Sequence, residues 1–212
     1  MRYFKVLTVD NRSCNGGDIS LVWSLPVQNE DGTWTPGEWM PDVSGNLVLC
    51  SNGYHLTDAE HLLGWLNATI YEAEPSAEMI EGDDKVVCRS VRLLKQMHWD
   101  DRIARLFACD CAEKLVPLYE KDHPNDKRPR HAIEVSRLFA EGKATRTELA
   151  AARAAARAAA WAAARAAAGD AARAAAWAAA RAAAGDAAWD AAWDAEQKWQ
   201  IRLLMWYLKG GT

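Results

Sequence analysis

RAAAWAAARAAAGDAA (157–172) is followed at once by an identical copy at 173–188. The pattern reaches beyond the two copies, because from Leu149 to Trp193 every fourth residue is Leu, Arg, Trp or Gly and nearly every other residue is Ala. Alanine has the highest helix propensity of all residues, so we predict helix in this tract. A surface of methyl groups carries few reactive side chains, which indicates that this half of the chain builds a binding or structural surface.

The period of the tract bears on whether it forms one helix or several. Four residues turn a helix by about 400°, so the stripe drifts by about 40° per step. Over one sixteen-residue repeat the drift places Trp161 and Trp177 on nearly opposite sides of a continuous helix. This favours breaks at Gly169-Asp170 and Gly185-Asp186, since Gly commonly follows a helix and Asp commonly caps one. The predicted helices are then 148–168, 170–184 and 186–208. One long helix stays open as the alternative, because a Gly-Asp pair costs only ~1.5 kcal/mol inside a helix.

The chain of 212 residues is long enough for two domains, and its composition changes near residue 97. Residues 1–96 mix Gly, Pro and β-branched residues, which predicts a small α+β domain, whereas residues 97–212 predict an all-α, alanine-rich domain. Alternating or short apolar runs indicate strands at 2–9, 19–25, 47–50, 68–74 and 85–94. Thr57 and Glu60 have the spacing of a capping box, which predicts a short helix to about Leu66.

Further capping and apolar patterns organise the helical half. Asp100 or Asp101 is placed to cap a first helix, which Pro117 should bend or end. A second helix begins near Pro129 and stops at Gly142, and a capping box at Thr145 and Glu148 begins the alanine tract. The predicted core stripe of the first helix comprises Ile103, Leu106, Phe107, Cys111, Leu115 and Leu118.

Composition also bounds the environment of the protein. The five cysteines are odd in number and scattered, which argues against a disulfide framework. The N-terminus alternates and has no apolar segment typical of a signal peptide. Arginines interrupt the alanine tract too often for a membrane span of about 20 residues. We therefore expect a reduced, cytoplasmic protein without a membrane segment, and the net charge of −4 gives no general attraction to nucleic acid.

The stripe of Trp and Arg in the repeat is the main candidate for binding a partner protein. Trp and Arg are the residue types enriched at interface hot spots. A Trp stripe at helical spacing is also typical of a buried core, so both interpretations stay open. The candidate partner-binding residues are Trp161, Arg165, Arg173, Trp177, Arg181 and Trp189.

A weaker candidate site in the first domain comprises Cys50, His55 and His61. A thiolate and two imidazoles are zinc ligands, but the spacing C-x4-H-x5-H matches no strong zinc pattern and no fourth ligand is evident. A nucleophilic Cys–His pair would need an orienting third group, and none is visible. The simpler interpretation is a buried strand cysteine, a turn histidine and a helix histidine. We expect no catalytic residue, no metal and no cofactor.

Two segments carry a resemblance to known families. RLFACDCAE (105–113) and DKRPRHAIE (126–134), followed by the alanine tetrads, resemble the alanine-rich helical domain of immunity proteins of bacteria and phages. The likeness covers roughly residues 99–208. LCSNGYHLT (49–57) and DDKVV (83–87) look like an uncharacterised α+β domain of phage and bacterial proteins. The resemblance implies toxin neutralisation or a role in phage–host conflict, without a catalytic motif to carry over.

These observations favour a non-enzymatic immunity or anti-defence factor that neutralises another protein, such as a toxin or a defence effector. One alternative is an enzyme or binder directed at a nucleotide or ADP-ribose, through Cys50, His55 and a glutamate of the acidic cluster at 72–84. Another is nucleic-acid binding by the Arg/Trp stripe. This alternative is weakened by the interspersed aspartates Asp170, Asp186, Asp190 and Asp194. The sequence leaves the oligomeric state open, including a homo-oligomer.

Overall fold

Strand β1 (Tyr3–Leu7) lies between β4 (Tyr54–Asp58) and β5 (Thr69–Pro75) within a six-stranded antiparallel sheet. The structure is a computed structural model that describes residues 1–14, 18–158 and 182–211, with only the backbone of 182–193. It divides into two compact units, Met1–Asp100 with Ile201–Thr212, and Asp101–Gln200. The first unit contains the sheet and the second is helical, which confirms the predicted α+β class.

The remaining strands complete the first unit. Its other strands are β2 (Val27–Gln28), β3 (Trp34–Thr35), β6 (Met79–Glu81), β7 (Val86–Cys88) and β8 (Val91–Gln96). The sheet has the order β6-β7-β4-β1-β5-β8, and β2 pairs with β3 in a separate hairpin. Residues 37–43 run along the β8 edge, where Gly37 N–H donates to Leu93 O at 2.9 Å and Met40 N–H donates to Val91 O at 2.9 Å. Covering an edge in this way satisfies groups that would otherwise recruit another strand.

One apolar cluster of the first unit lies on the face of β1 that presents Tyr3 and Leu7. These two side chains pack in one cluster with Trp23, Tyr54 and Leu93. The C-terminal residues that belong to this unit are also buried, with Leu204 and Leu208 at most 2% exposed. The N–H of His98 donates to the carbonyl oxygen of Leu208 at 3.2 Å. From composition alone, these last residues are expected in the helical domain.

Two predicted strands are absent, and the single strand predicted at 85–94 is divided at Arg89-Ser90 into β7 and β8. Residues 19–25 form no strand, although Trp23 is buried and Val22 is 72% exposed. The alternation is real, but no neighbouring strand pairs with it. Residues 47–50 form only an isolated bridge from Val48 to Asn52, followed by a turn. Cys50 is therefore exposed in a turn instead of buried in a strand.

The capping box predicted at Thr57 and Glu60 is also wrong. Thr57 is buried in β4, and its hydroxyl donates to the carbonyl oxygen of Asp84 at 3.1 Å. Strand pairing with β1 and β7 outweighs the local helix signal at this position. The Asp58 carboxylate instead accepts from the backbone N–H groups of Glu60 and His61, ahead of a short 3-10 helix at Leu62–Trp65.

The second unit begins with α1 (Asp101–Asp122) and α2 (Arg128–Ala140), followed by helical residues 146–158, here α3. Helix α1 continues past Pro117, so this residue does not end the helix. A proline costs about 3 kcal/mol in a helix interior. Helix α2 packs along α1 in this region, where Arg130 pairs with Glu120 at 2.8 Å.

The buried face of α1 differs in part from the predicted stripe. Ile103, Leu106 and Phe107 are buried as predicted, together with Cys109 and Val116. Cys111 is only partly buried, whereas Leu115 and Leu118 are 49% and 68% exposed. Apolar periodicity showed that the helix has a core face, but the position of its neighbours decided how far that face extends.

Local signals around α2 and α3 are confirmed. Pro129 lies in the first turn of α2, and Gly142 follows its end with a φ of 73°, in the left-handed region. At the start of α3 the Thr145 N–H donates to the Glu148 carboxylate at 2.7 Å. The Glu148 N–H donates back to the Thr145 hydroxyl at 3.2 Å, which completes the capping box.

The alanine tract is described only at its two ends. The predicted break at Gly169-Asp170 lies outside the described residues. The predicted break at Gly185-Asp186 is wrong, because α4 (Ala182–Leu208) runs through both residues. Glycine costs only about 1 kcal/mol inside a helix, and the surrounding alanines favour helix strongly enough to offset it. Within the described parts of the chain, no helix combines the length and apolarity that crossing a membrane requires.

Candidate functional site

The Trp/Arg stripe predicted to bind a partner falls largely outside the described residues. This applies to Trp161, Arg165, Arg173, Trp177 and Arg181. Trp189 lies in α4, where only the backbone is described. The stripe therefore stays a prediction from sequence.

The weaker candidate site is not brought together as a metal centre. Cys50 and His55 are neighbours, since the backbone N–H of Cys50 donates to His55 Nε2 at 2.8 Å. His61 instead pairs through Nδ1 with the Asp58 carboxylate at 2.9 Å. Across the residues that the structure describes, no group of three or more His, Cys, Asp or Glu side chains is arranged to hold a metal ion.

His55 has a structural role that sequence reasoning missed. It lies in β4, not in a turn, and its Nε2 lone pair holds the backbone of Cys50, which has a φ of 63°. Burial, followed by the positive charges of Lys5 and Lys85, lowers the pKa of His55 below its usual value. A neutral imidazole whose Nε2 accepts from a backbone N–H is not positioned to deprotonate the Cys50 thiol through that atom.

His55 and Cys50 nevertheless line a cavity of about 440 Å³ in the first unit, here called the Lys5 pocket. Its lining includes Lys5, Cys14, Trp23, His55, Trp65 and Lys85. Of all the residues that line the pocket, the sequence analysis named only Cys50 and His55 as site candidates. The sequence does contain one indication of the pocket, because Lys5 lies at the centre of the otherwise apolar strand β1.

Lys5 lies on the core face of the sheet, between Tyr3 and Leu7 along β1. Its ammonium donates to the carbonyl oxygen of His55 at 3.2 Å and lies 4.8 Å from the centre of the Trp23 ring. Burial lowers the pKa of Lys5 to about 8, although the Cys14 and Cys88 thiols act in the opposite direction. Lys5 is therefore an ammonium held in an environment that disfavours its charge.

A second lysine repeats the arrangement. Lys85 lies 4.8 Å from the centre of the Trp65 ring and 3.3 Å from the Asp84 carboxylate. Burial lowers its pKa, but hydrogen bonds to the Cys50 thiol and to Asp84 outweigh burial, so the pKa of Lys85 is raised. The pocket thus combines two cationic groups with two indole rings.

The acidic residues at 72–84 are engaged within the first unit. Glu72 pairs with Lys95 at 3.2 Å, and Glu74 pairs with Arg92 at 2.7 Å. Glu78 pairs with Arg89, and this guanidinium holds the pKa of the Glu78 carboxyl below its usual value. None of these three carboxylates is among the residues that line the Lys5 pocket.

In the second unit, charges connect α1 and α2. Arg137 of α2 reaches both Asp110 and Glu113 of α1 at 2.6 Å. In the loop, the Asp126 carboxylate accepts from the Tyr119 hydroxyl at 2.8 Å and pairs with Arg128 at 2.6 Å. The charged motif at 126–134 therefore fixes the α1–α2 hairpin, and its cations are paired within the unit.

The comparisons with known proteins concern this second unit. Residues 98–195 match the profile of a family described as "Imm-5 like putative immunity protein". No curated protein and no solved structure matched the chain. The match covers both motifs on which the resemblance rested, RLFACDCAE and DKRPRHAIE. The helical segment 98–195 is accordingly similar to immunity proteins.

Proposed function

We propose that this protein is a non-enzymatic immunity factor that binds another protein, a toxin or a defence effector, and neutralises it. The observation that carries the proposal is the similarity of residues 98–195 to the immunity-protein family. Immunity by binding needs a stable surface and no reactive group. The paired charges of α1 and α2 are consistent with such a scaffold.

We further propose that the partner contacts the Trp/Arg stripe of the alanine tract. Large flat indole rings and arginine guanidinium groups carry most of the binding energy in many interfaces. Alanine neighbours leave such side chains sterically accessible, because a methyl group covers little of an adjacent ring. The proposed contact residues are Trp161, Arg165, Arg173, Trp177, Arg181 and Trp189.

The test begins with the full-length chain as bait, cross-linked in bacterial cells that carry candidate toxins and defence effectors. A captured protein counts as the partner only if its expression alone arrests growth and co-expression of this chain restores growth. Capture without relief of growth arrest would contradict neutralisation, even if the complex were stable.

The double variant Trp161→Ala/Trp177→Ala tests the stripe. Loss of hot-spot tryptophans costs about 2 kcal/mol or more, so we expect at least about 30-fold weaker binding and loss of growth protection. Trp39→Ala is the matched control, because Trp39 is 43% exposed, lies against Arg92 and belongs to the first unit. Binding should be measured by calorimetry on proteins whose helix content is unchanged. Unchanged affinity accompanied by a lower unfolding temperature would assign these tryptophans to the core instead.

A further inference from the structure

The Lys5 pocket contains a cation whose counter-charge is missing from the described residues. Buried charges in proteins are normally paired with an opposite charge. Among the described residues, no carboxylate lies within 4.0 Å of Lys5 Nζ, which contacts the His55 carbonyl oxygen and the Trp23 ring. An ammonium has three N–H donors, so donors remain for a further acceptor.

The surroundings of Lys5 indicate the charge and shape of that acceptor. Lys85 lines the same pocket and adds a second positive charge. Trp23 and Trp65 add flat apolar surface. An anionic group would gain charge-assisted hydrogen bonds here, and an aromatic body attached to it would be able to lie against the indoles.

The size and accessibility of the pocket also suit a small molecule. Its volume of about 440 Å³ lies in the range of small-molecule sites. Exposed residues Cys50 and Ser51 are part of its lining, so the pocket reaches the surface of the first unit. Asp18 also lines it and is exposed; this carboxylate would disfavour an anion placed beside it.

We propose that the Lys5 pocket binds a small organic anion, a carboxylate or phosphate carried on a flat aromatic body, with the Lys5 ammonium as its principal charge partner. Lys85 adds to the positive field, and Trp23 and Trp65 contact the aromatic body. His55 holds the turn at Cys50 that forms one side of the pocket. This site is independent of the proposed partner-binding function, since it lies in the other unit.

The first experiment measures binding of three probes that share one ring system. The probes are 1-naphthoate, 1-naphthyl phosphate and neutral 1-naphthamide, measured by ligand-observed NMR and calorimetry on the full-length protein. We expect at least one anion to bind about tenfold or more tightly than the amide, as charge-assisted hydrogen bonds imply. Comparison of the two anions distinguishes a carboxylate site from a phosphate site.

Two variants then test whether Lys5 provides the positive charge that binds the anion. Lys5→Met should weaken anion binding about tenfold or more and leave amide binding unchanged. The matched control is Lys95→Met, since Lys95 lies in the same sheet, pairs with Glu72 and does not line the pocket. Equal affinity for anion and amide, retention of anion binding in Lys5→Met, or no binding of either anion up to about 10 mM would overturn the proposal.

A second measurement uses the wild-type protein and does not depend on a folded variant. Acetic anhydride at pH 8 acetylates accessible neutral amines, and mass spectrometry of the peptides gives the rate at each lysine. The anion that binds should slow acetylation of Lys5 and not of Lys95, whereas 1-naphthamide should not slow it. Acetylation of Lys5 at the same rate with and without the anions would contradict occupancy of the pocket.

Discussion

Lys5 places an ammonium on the core face of β1, where an apolar side chain would be expected to stabilise the fold better. Replacing buried charged groups by apolar ones of similar size is often neutral or stabilising. Functional sites commonly retain such groups at the expense of stability. A buried lysine that lowers the unfolding free energy is therefore consistent with a binding role. This loss of unfolding free energy is measurable without knowledge of the ligand.

We predict that Lys5→Met is more stable than the wild type at pH 7, by on the order of 2–3 kcal/mol. Burial lowers the pKa of Lys5 from 10.5 to about 8 in the folded state. Each pKa unit of this shift means that folding the charged form costs ~1.4 kcal/mol more. The hydrogen bond to His55 that the variant loses offsets about 1 kcal/mol of this gain. Chemical denaturation gives the unfolding free energies of both proteins.

The pH dependence of the unfolding free energy tests whether the Lys5 charge destabilises the fold. Between pH 8 and the ordinary lysine value of 10.5, Lys5 binds more protons in the unfolded chain than in the folded one, so the contribution of Lys5 to wild-type stability rises with pH. The advantage of Lys5→Met should therefore shrink across this interval. Burial raises the pKa values of the Cys14 and Cys88 thiols and Lys5 acts to lower them, so part of the difference in pH dependence between the two proteins comes from these thiols. Parallel stability curves, with Lys5→Met the less stable protein throughout, would show that the ammonium stabilises the fold.

At the scale of elements, two glycines of the second unit respond to different forces. Gly142 follows α2 with a φ of 73°, a backbone conformation that disfavours every side chain. Gly185 lies inside α4, in a conformation that favours alanine over glycine. The same residue type therefore ends one helix and is accommodated in another.

We predict opposite effects for one substitution at these two positions. Gly185→Ala should raise the unfolding free energy by about 1 kcal/mol, because alanine has the higher helix propensity. Gly142→Ala is the matched control and should lower it by about 1–2 kcal/mol, because the left-handed conformation then carries a side chain. Circular dichroism at 222 nm during thermal unfolding measures both. Destabilisation by Gly185→Ala would indicate a turn at this position and restore the broken-helix interpretation.

At the scale of the whole molecule, ion pairing is largely internal to each unit. Within the described residues, Glu72, Glu74 and Glu78 pair in the first unit, and Arg130 and Arg137 pair in the second. A net charge of −4 on 212 residues therefore gives little long-range steering. We expect recognition of the partner to depend on shape and aromatic contacts more than on salt concentration.

We also predict that the purified protein contains no stoichiometric metal. Its histidines and cysteines are apart or occupied: His61 pairs with Asp58, and His55 Nε2 accepts from the Cys50 backbone. Elemental analysis should give far less than one zinc per chain, and EDTA should leave the unfolding temperature unchanged. One zinc per chain that EDTA removes with a fall in unfolding temperature would contradict this prediction.

The sequence by itself determined the features that depend on nearby residues. The helix start at Thr145 and Glu148 and the helix end at Gly142 were predicted and are present. Strands β1 and β5 were also predicted, because their apolar alternation is strong. These signals succeed because a helical turn, a cap or an alternating strand is defined within a few residues of chain.

Only the tertiary structure decided the features that depend on distant segments. It placed Thr57 in a strand instead of a helix cap, and Cys50 in an exposed turn. It also brought Lys5, Trp23 and Lys85 to one cavity. The physical reason is that strand pairing and desolvation depend on which remote residues approach, and no local pattern encodes that approach. The helix start at Thr145 and the helix end at Gly142 could therefore be predicted from the local sequence, whereas the Lys5 pocket could be found only in the folded sheet.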